Sequence, residues 1–240
     1  MAKDKSDPTI QQLRATTPRE PVYRQGFDYQ HNPAWRIFRI MAEFVSGFEF
    51  ISQFENIVTV FGSSRQKEKQ PHYEEAVKLG KRLAEEGYTV VTGGGPGIMQ
   101  GANEGATRGG GISIGLNISL PSEQKLNPYV GKSMNFHHFY ARKVMLAYAS
   151  QAYVFFPGGF GTLDEFFEMA TLVQTGKMQE QIPVLLYGKD YWAGLLKWLE
   201  SVVEANYHAI SPQDKTVWKV VDTVEEAITI IKKSPKREPL

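Results

Sequence analysis

The chain has 240 residues, of which 42% are hydrophobic and 22% charged, as in a globular protein with a substantial core. Its formal net charge is only +1, which excludes a strong overall field for holding a long nucleic acid or an anionic membrane. The chain has no cysteine, which excludes disulfides, thiolate metal sites and a cysteine nucleophile.

The N-terminal region changes character at residue 34. Residues 1–33 are polar, contain four prolines and lack periodicity, so we predict a flexible arm. The first residues lack a signal-peptide core, and no apolar run reaches the roughly 20 residues that span a bilayer, which predicts a cytoplasmic protein. Apolar residues then recur at three- and four-residue steps, predicting an amphipathic helix over 34–54. Its many aromatic residues favour packing on its own domain or on a second subunit.

From residue 57 the chain alternates between short apolar runs and helical patterns. Strands are predicted at 57–61, 88–92, 112–116, 134–138, 152–156, 183–187 and 217–221, and helices at 73–86, 98–107, 140–150, 163–175, 191–205 and 223–232. Strands that are apolar on both sides and separated by helices indicate a parallel sheet covered on two faces. We therefore predict a doubly wound, Rossmann-like α/β fold in a single domain over 34–233, followed by a short tail at 234–240.

Three predicted strands end in small, hydrogen-bonding residues at 62–64, 93–97 and 158–162. Glycine permits close backbone approach, and a helix that starts directly afterwards directs free N–H groups and partial positive charge at the same place. Ligands of doubly wound sheets bind at such carboxyl ends. The third segment is the best phosphate candidate because Thr162 adds a hydroxyl donor.

Two common nucleotide motifs are excluded by spacing. No Gly-Lys-Ser/Thr follows the glycines, as the Walker A loop requires, and Ile98 occupies the position of the third glycine of Gly-x-Gly-x-x-Gly. A mononucleotide site is therefore favoured over a dinucleotide site.

Glu165 and Arg142 are the charged candidates near the phosphate segment. One reaction that such a pair could serve at a nucleotide site is cleavage of the base from the ribose, which builds positive charge at the anomeric carbon. A fixed carboxylate can stabilise that charge, orient the ribose or accept a proton from water. Arginine cannot act as a general acid, but it can bind phosphate or steady the departing base.

Structural explanations remain open from spacing alone. A carboxylate in a first helical turn complements the helix dipole, and residues 142–143 also fit a solvated helix face. Asp164 and Glu168 fit solvent-facing or supporting positions. The adjacent His137 and His138 suit neither helical nor alternate-strand metal pairing, so we expect a structural role for them and no metal site.

Several of these segments together resemble the LONELY GUY (LOG) family. The resemblance lies in Gly-Gly-Gly-Pro-Gly-Ile-Met at 93–99, Arg-Lys at 142–143 and Pro-Gly-Gly-Phe-Gly-Thr-Leu-Asp-Glu at 157–165. LOG members are phosphoribohydrolases that release cytokinin bases from riboside 5′-monophosphates; relatives cleave AMP, and many were labelled lysine decarboxylases. Plant members usually have His and Glu where this chain has Tyr140 and Asp164, and these differences resemble a larger bacterial-type subgroup.

The resemblance implies a catalytic pair, Arg142 and Glu165, acting on a nucleoside 5′-monophosphate without a cofactor. Together with the glycine-rich strand ends, it gives the predicted substrate- and phosphate-binding residues Gly62, Ser63, Gly94, Gly95, Met99, Lys143, Gly158, Gly159, Gly161 and Thr162. It also implies a dimer or a dimer-based assembly.

Two other functions fit the sequence less well. A non-catalytic nucleotide or cofactor carrier on this fold is the first alternative, and the loss of either catalytic residue would have favoured it. A pyridoxal-phosphate decarboxylase needs a Schiff-base lysine, for which Lys143 is the one tempting candidate, and nothing in the sequence places it in a cofactor site.

Overall fold

The computed structural model describes residues 33–119, 126–148, 150–179 and 181–236, and it divides into two compact units between Arg39 and Ile40. The first described helix is α1 (Pro33–Ile51). In the first unit the Trp35 and Phe38 rings meet edge-on, with centroids 5.9 Å apart. Residues 1–32 of the predicted arm and residues 237–240 of the predicted tail lie outside the described residues. The proposed domain boundaries stay predictions.

The second unit alternates strands and helices along the chain. The strands are β1 (Ile57–Phe61), β2 (Thr89–Thr92), β3 (Ser113–Ile118), β4 (Lys132–Phe136), β5 (Ser150–Phe155), β6 (Val184–Tyr187) and β7 (Trp218–Val221). The further helices are α2 (Pro71–Glu85), α3 (Ile98–Arg108), α4 (Phe139–Tyr148), α5 (Phe160–Gln174), α6 (Lys189–Trp198) and α7 (Val224–Lys233). A π-helical segment (Leu199–Glu204) continues α6, and a 3₁₀ helix (Pro212–Val217) precedes β7.

The strands form one parallel sheet in the order β4-β3-β2-β1-β5-β6-β7. Strand β1 lies at its centre, paired with β2 on one side and β5 on the other. The chain builds outward from β1 to β4 and then returns to begin the second half at β5. The strand order therefore reverses between β1 and β5, and the predicted doubly wound fold is confirmed.

Helices cover both faces of the sheet, and every residue of the central strands β1, β2 and β3 is consequently buried. On one face α4, α5 and α6 contribute Met145, Phe166 and Trp192 to a core that also holds Ile51 of α1. On the other face α2, α3 and α7 contribute a second core, which includes Leu79, Leu83, Ile98, Ala102 and Ile228. No described helix is long and apolar enough to cross a membrane.

Most helix boundaries differ from the sequence prediction by one to three residues, and the end of α6 differs by seven. Helix α5 begins at Phe160, with Gly159 as its N-cap, three residues before the predicted start. Thr162 consequently lies inside the first helical turn. The predicted helix over 191–205 is α-helical only as far as Trp198, beyond which the backbone widens into the π-helical segment. Side-chain periodicity hardly distinguishes these two windings over a single turn.

Candidate active site

A cavity of about 560 Å³ opens at the carboxyl ends of β1 and β5, where the strand order reverses. The three glycine-rich strand ends meet here, and Ser63 connects them. Its backbone N–H donates to the carbonyl of Pro157 at 3.0 Å, and its carbonyl accepts the N–H of Ile98 at 3.0 Å. Three loops that are remote in sequence are thus joined next to the cavity, as their positions after parallel strands predicted.

The N-terminus of α5 faces this cavity with Gly159, Phe160, Gly161 and Thr162 in its lining. Because Gly159 has no side chain to cap the helix, the first N–H groups of α5 remain open to a ligand, and the helix dipole adds partial positive charge. The Thr162 side chain is buried in the same turn. This arrangement suits a phosphate group.

Gly158 supports this turn from behind rather than lining the cavity. A Cβ at Gly158 would lie 2.2 Å from Oγ1 of Thr162, so only glycine leaves room for that hydroxyl. The Gly158 carbonyl accepts the Tyr191 hydroxyl at 2.6 Å and is therefore engaged within the protein.

Arg142 projects from α4 into the cavity and is held on several sides. Its Nε–H donates to the carbonyl of Leu116 at 2.7 Å, and its Nη1 lies 3.8 Å from Oε1 of Glu165. A Cβ at Gly93 would lie 2.2 Å from Nη2 of Arg142, so the guanidinium occupies space that any larger residue would fill. Arg142 is 9% exposed, which leaves a small part of it accessible from the cavity.

Glu165 lies one turn after Thr162 on α5, and its environment perturbs its ionisation. Burial raises the pKa of Glu165 to about 7, and the nearby Arg142 guanidinium opposes part of that rise. Burial likewise lowers the pKa of Arg142, against the attraction of Glu165. A carboxyl that titrates near neutrality beside a buried cation is typical of proton-transfer sites.

Most of the predicted site residues line the cavity. These are Gly62, Ser63, Met99, Arg142, Gly159, Gly161, Thr162 and Glu165. The other four, Gly94, Gly95, Lys143 and Gly158, lie outside its lining.

Gly94 and Gly95 are held by Asn127 instead. The Asn127 side-chain amide donates to the Gly94 carbonyl at 3.2 Å and to the Gly95 carbonyl at 3.0 Å. The Gly94 N–H in turn donates to the Thr92 hydroxyl at 2.9 Å. Gly94 and Gly95 are therefore engaged in hydrogen bonds within the protein, and Gly93 and Met99 on either side contact the site.

Lys143 points to α5. Its ammonium lies 3.0 Å from Oδ2 of Asp164 and 3.1 Å from Oε2 of Glu168. The lysine thus joins the two helices that carry Arg142 and Glu165. Adjacent residues on a helix project about 100° apart, which is why Arg142 and Lys143 face different surroundings. This contact does not present Lys143 to the cavity as a Schiff-base lysine would require.

The cavity also contains residues that were not among the predicted site residues: Ser64, Arg65, Ile118, Phe139, Phe160 and Leu163. Ser64 belongs to the first glycine-rich end and Arg65 directly follows it, so their position was a usable signal. Ile118 is the last residue of β3 and Phe139 is the first residue of α4. That both lie at the cavity becomes evident only from the order of the strands in the sheet. With Met99, the apolar members form a surface that suits a flat, largely apolar group such as a nucleobase.

A sequence model of the family described as possible lysine decarboxylase matches residues 99–231, more than half of the chain. Curated relatives carry the names of phosphoribohydrolases. The probable cytokinin riboside 5′-monophosphate phosphoribohydrolase LOGL6 of Oryza sativa subsp. japonica is 31% identical over 180 residues, covering 74% of this chain and 70% of that one. The chain belongs to the LOG family. LOG3 of Arabidopsis thaliana, a cytokinin riboside 5′-monophosphate phosphoribohydrolase, is also 31% identical, with 74% and 81% covered.

Solved structures share the fold of this LOG family member. The molybdenum cofactor binding protein of Rippkaea orientalis superposes with a TM-score of 0.54 at 24% identity, covering 74% of this chain and 96% of that one. The molybdenum cofactor carrier protein of Chlamydomonas reinhardtii gives 0.54 at 25% identity, with 75% and 97% covered. The same sheet thus occurs in proteins whose names describe binding rather than hydrolysis.

Proposed function

We propose that this LOG family member hydrolyses the N-glycosidic bond of a nucleoside 5′-monophosphate, giving a free base and ribose 5-phosphate. The observation that carries the proposal is the Arg142–Glu165 pair, separated by 3.8 Å, in the cavity that the N-terminus of α5 faces. The names of the curated relatives support the same activity.

In this proposal the 5′-phosphate binds the open N–H groups at the start of α5 and the Thr162 hydroxyl. The base lies against the apolar members of the lining, which include Met99, Ile118 and Phe139. The ribose then lies between these two subsites, next to Glu165 and Arg142. The cavity of about 560 Å³ falls within the usual range for small-molecule sites.

The proposed reaction proceeds through positive charge on the anomeric carbon. Water adds to C1′ while the bond from C1′ to the base nitrogen breaks, and the electron pair of that bond leaves with the base, which takes up a proton from solvent water. The ionised Glu165 carboxylate stabilises the cationic sugar and accepts a proton from the attacking water. Arg142 stays charged and cannot donate that proton, so its contribution is electrostatic.

A carrier function is the second candidate, favoured by the shared fold with the molybdenum cofactor carrier protein of C. reinhardtii. A carrier would bind its ligand without chemistry and would not need a carboxyl that titrates near neutrality beside an arginine. The presence of both Glu165 and Arg142 in the cavity lining favours hydrolysis over carriage.

The deciding experiment incubates the protein with a panel of nucleoside 5′-monophosphates, including AMP and a cytokinin riboside monophosphate. Chromatography measures the released base and ribose 5-phosphate. Adenosine is the matched control without phosphate, and we expect AMP to be cleaved with a far higher kcat/KM because phosphate binding positions the sugar. Equal values for AMP and adenosine would refute the phosphate subsite.

Glu165→Gln provides the control for chemistry. It preserves size and most hydrogen bonding but removes the negative charge, and we expect kcat to fall by about 10²–10³, or about 2.7–4 kcal/mol. Thermal melting in parallel separates lost chemistry from lost folding. A variant that retains near-normal turnover shows that Glu165 is not the catalytic carboxylate, and nucleotide binding without base release by the unmodified protein favours the carrier.

A further inference from the structure

The part of helix α1 from Ile40 onwards lies along the helix that carries Arg142. Near the start of α4, Glu43 of α1 contacts residues 137–138. Further along, a Cβ at Gly47 would lie 2.9 Å from Sδ of Met145, so the two helices approach closely. At the far end the Phe48 ring meets Tyr148 edge-on, with centroids 4.6 Å apart. The part of α1 from Ile40 onwards therefore follows α4 over its length.

The Glu43 carboxylate accepts hydrogen bonds from both histidines that precede α4. Its Oε1 accepts the backbone N–H of His137 at 2.8 Å, and its Oε2 accepts that of His138 at 3.1 Å. The imidazole Nδ1 atoms of the same two residues lie 3.1 Å and 3.0 Å from these oxygens. One carboxylate thus fixes both the backbone and the side chains of this segment.

These contacts act on the first turn of α4. The free N–H groups at a helix start need acceptors, and a negative charge there complements the helix dipole. The backbone carbonyl of His138 also accepts the backbone N–H of Arg142 at 3.2 Å, which forms the first hydrogen bond of that turn. Burial tends to raise the pKa of Glu43, but hydrogen bonds from His137 and His138 outweigh this and lower it below the usual value. The carboxylate is therefore ionised at neutral pH.

We propose that Glu43 is a positioning residue for the reaction, holding the first turn of α4 through His137 and His138 so that the Arg142 guanidinium stays beside Glu165. The inference rests on the proposed function. It also gives α1 a role in the site, although none of the lining residues that the structure describes belongs to this helix. The competing explanation is that Glu43 only anchors α1 to the domain, in which case its loss would change stability alone.

The experiment compares Glu43→Ala and Glu43→Gln with two controls in the full-length protein. Glu49→Gln removes the same charge from an exposed position of α1. Ile228→Val on α7 weakens the core on the opposite face of the sheet and serves as a stability control. Thermal melting, kcat and KM for AMP, and hydrogen exchange of the backbone N–H groups of 139–143 are measured for each variant.

We expect kcat to fall by at least about tenfold in Glu43→Ala, with a smaller change in KM, since small displacements of catalytic groups are costly. Glu43→Gln should lose less, and the Arg142 amide should exchange faster in both variants but not in the controls. Unchanged kcat in Glu43→Ala, or a loss matched by Ile228→Val at equal melting temperature, would overturn the proposal.

The exchange measurement separates this inference from the proposed function. If the unmodified protein releases no base from any nucleotide, the proposed function fails by itself. Faster exchange of the Arg142 amide in Glu43→Ala, but not in Glu49→Gln, then still supports control of α4 by Glu43. Unchanged exchange refutes it whatever the activity.

Discussion

The Glu165 carboxyl is subject to two opposing influences. Burial favours its neutral form, and Arg142 at 3.8 Å favours its ionised form, with burial the larger effect. A group in this balance changes charge near neutrality, where the proposed reaction would use it as a carboxylate. The same balance makes its ionisation a cost to the folded protein, which can be measured without substrate.

Stability should therefore depend on pH through Glu165. Its pKa is about 7 in the folded state against an ordinary 4.5, so the folded state holds this proton more tightly than the unfolded chain. The resulting stabilisation is complete below the unfolded pKa and is lost as pH rises through the folded one. Relative to Glu165→Gln, the wild type should lose about 1–3 kcal/mol of unfolding free energy between about pH 5 and about pH 8.

Urea denaturation of both proteins at each pH measures this difference. The glutamine variant is the matched control because it resembles the protonated acid and does not titrate. Parallel pH dependence in the two proteins would show that the Glu165 pKa is not raised by folding.

At the scale of elements, helices α4 and α5 carry the two catalytic candidates, and Lys143 connects them. Its ammonium contacts Asp164 and Glu168, and these contacts raise the pKa of Lys143 against the opposing effect of burial. The lysine, predicted from sequence as a substrate ligand, therefore lies where it can stabilise the helix pair.

Lys143→Met tests which role it has. The variant keeps the aliphatic stem but loses both ion pairs, and we expect the unfolding free energy to fall by about 1 kcal/mol. The KM for AMP should stay within about twofold of the wild-type value, since the Lys143 side chain lies outside the cavity lining and is not expected to contact the substrate. Urea denaturation and steady-state kinetics give the two numbers, with Lys78→Met as an exposed control. A large rise in KM at unchanged stability would restore Lys143 as a substrate ligand.

At the scale of the whole molecule, α1 has an outer apolar face. Phe44 and Phe48 pack against the core, whereas Met41 and Val45 are 55% and 57% exposed. Two large apolar side chains one turn apart on an exposed helix are typical of an interaction surface. The sequence left two roles open for this helix, packing on its own domain and contact with a second subunit. Phe44 and Phe48 suit the first role, and Met41 and Val45 suit the second.

We expect the chain to form a dimer or a dimer-based assembly through this face. Light scattering at micromolar concentration should give at least about twice the chain mass of 27.1 kDa. Val45→Glu should shift the population towards the monomer, because it introduces a charge into an apolar interface, and Lys81→Glu on α2 serves as an exposed control. A wild-type mass near that of one chain would contradict the prediction.

The doubly wound sheet and the meeting of its glycine-rich ends could be predicted from sequence. Runs such as Ile57–Phe61 are apolar on both sides, which is typical of a strand buried on two faces, and parallel strands bring their carboxyl ends to one edge. The motif at 157–165 likewise predicted a helix start after β5 and made Glu165 a candidate catalytic carboxylate. These are local signals, carried by residues adjacent in the chain.

Only the tertiary structure decided which way the individual side chains face. It turned Arg142 into the cavity beneath Gly93 and Lys143 towards Asp164, although the two are neighbours in the chain. It also brought Glu43 to the two histidines, which lie 94 and 95 residues later. Sequence pattern reports burial and chain direction, but the direction of a side chain and its distant partners depend on how packed elements meet.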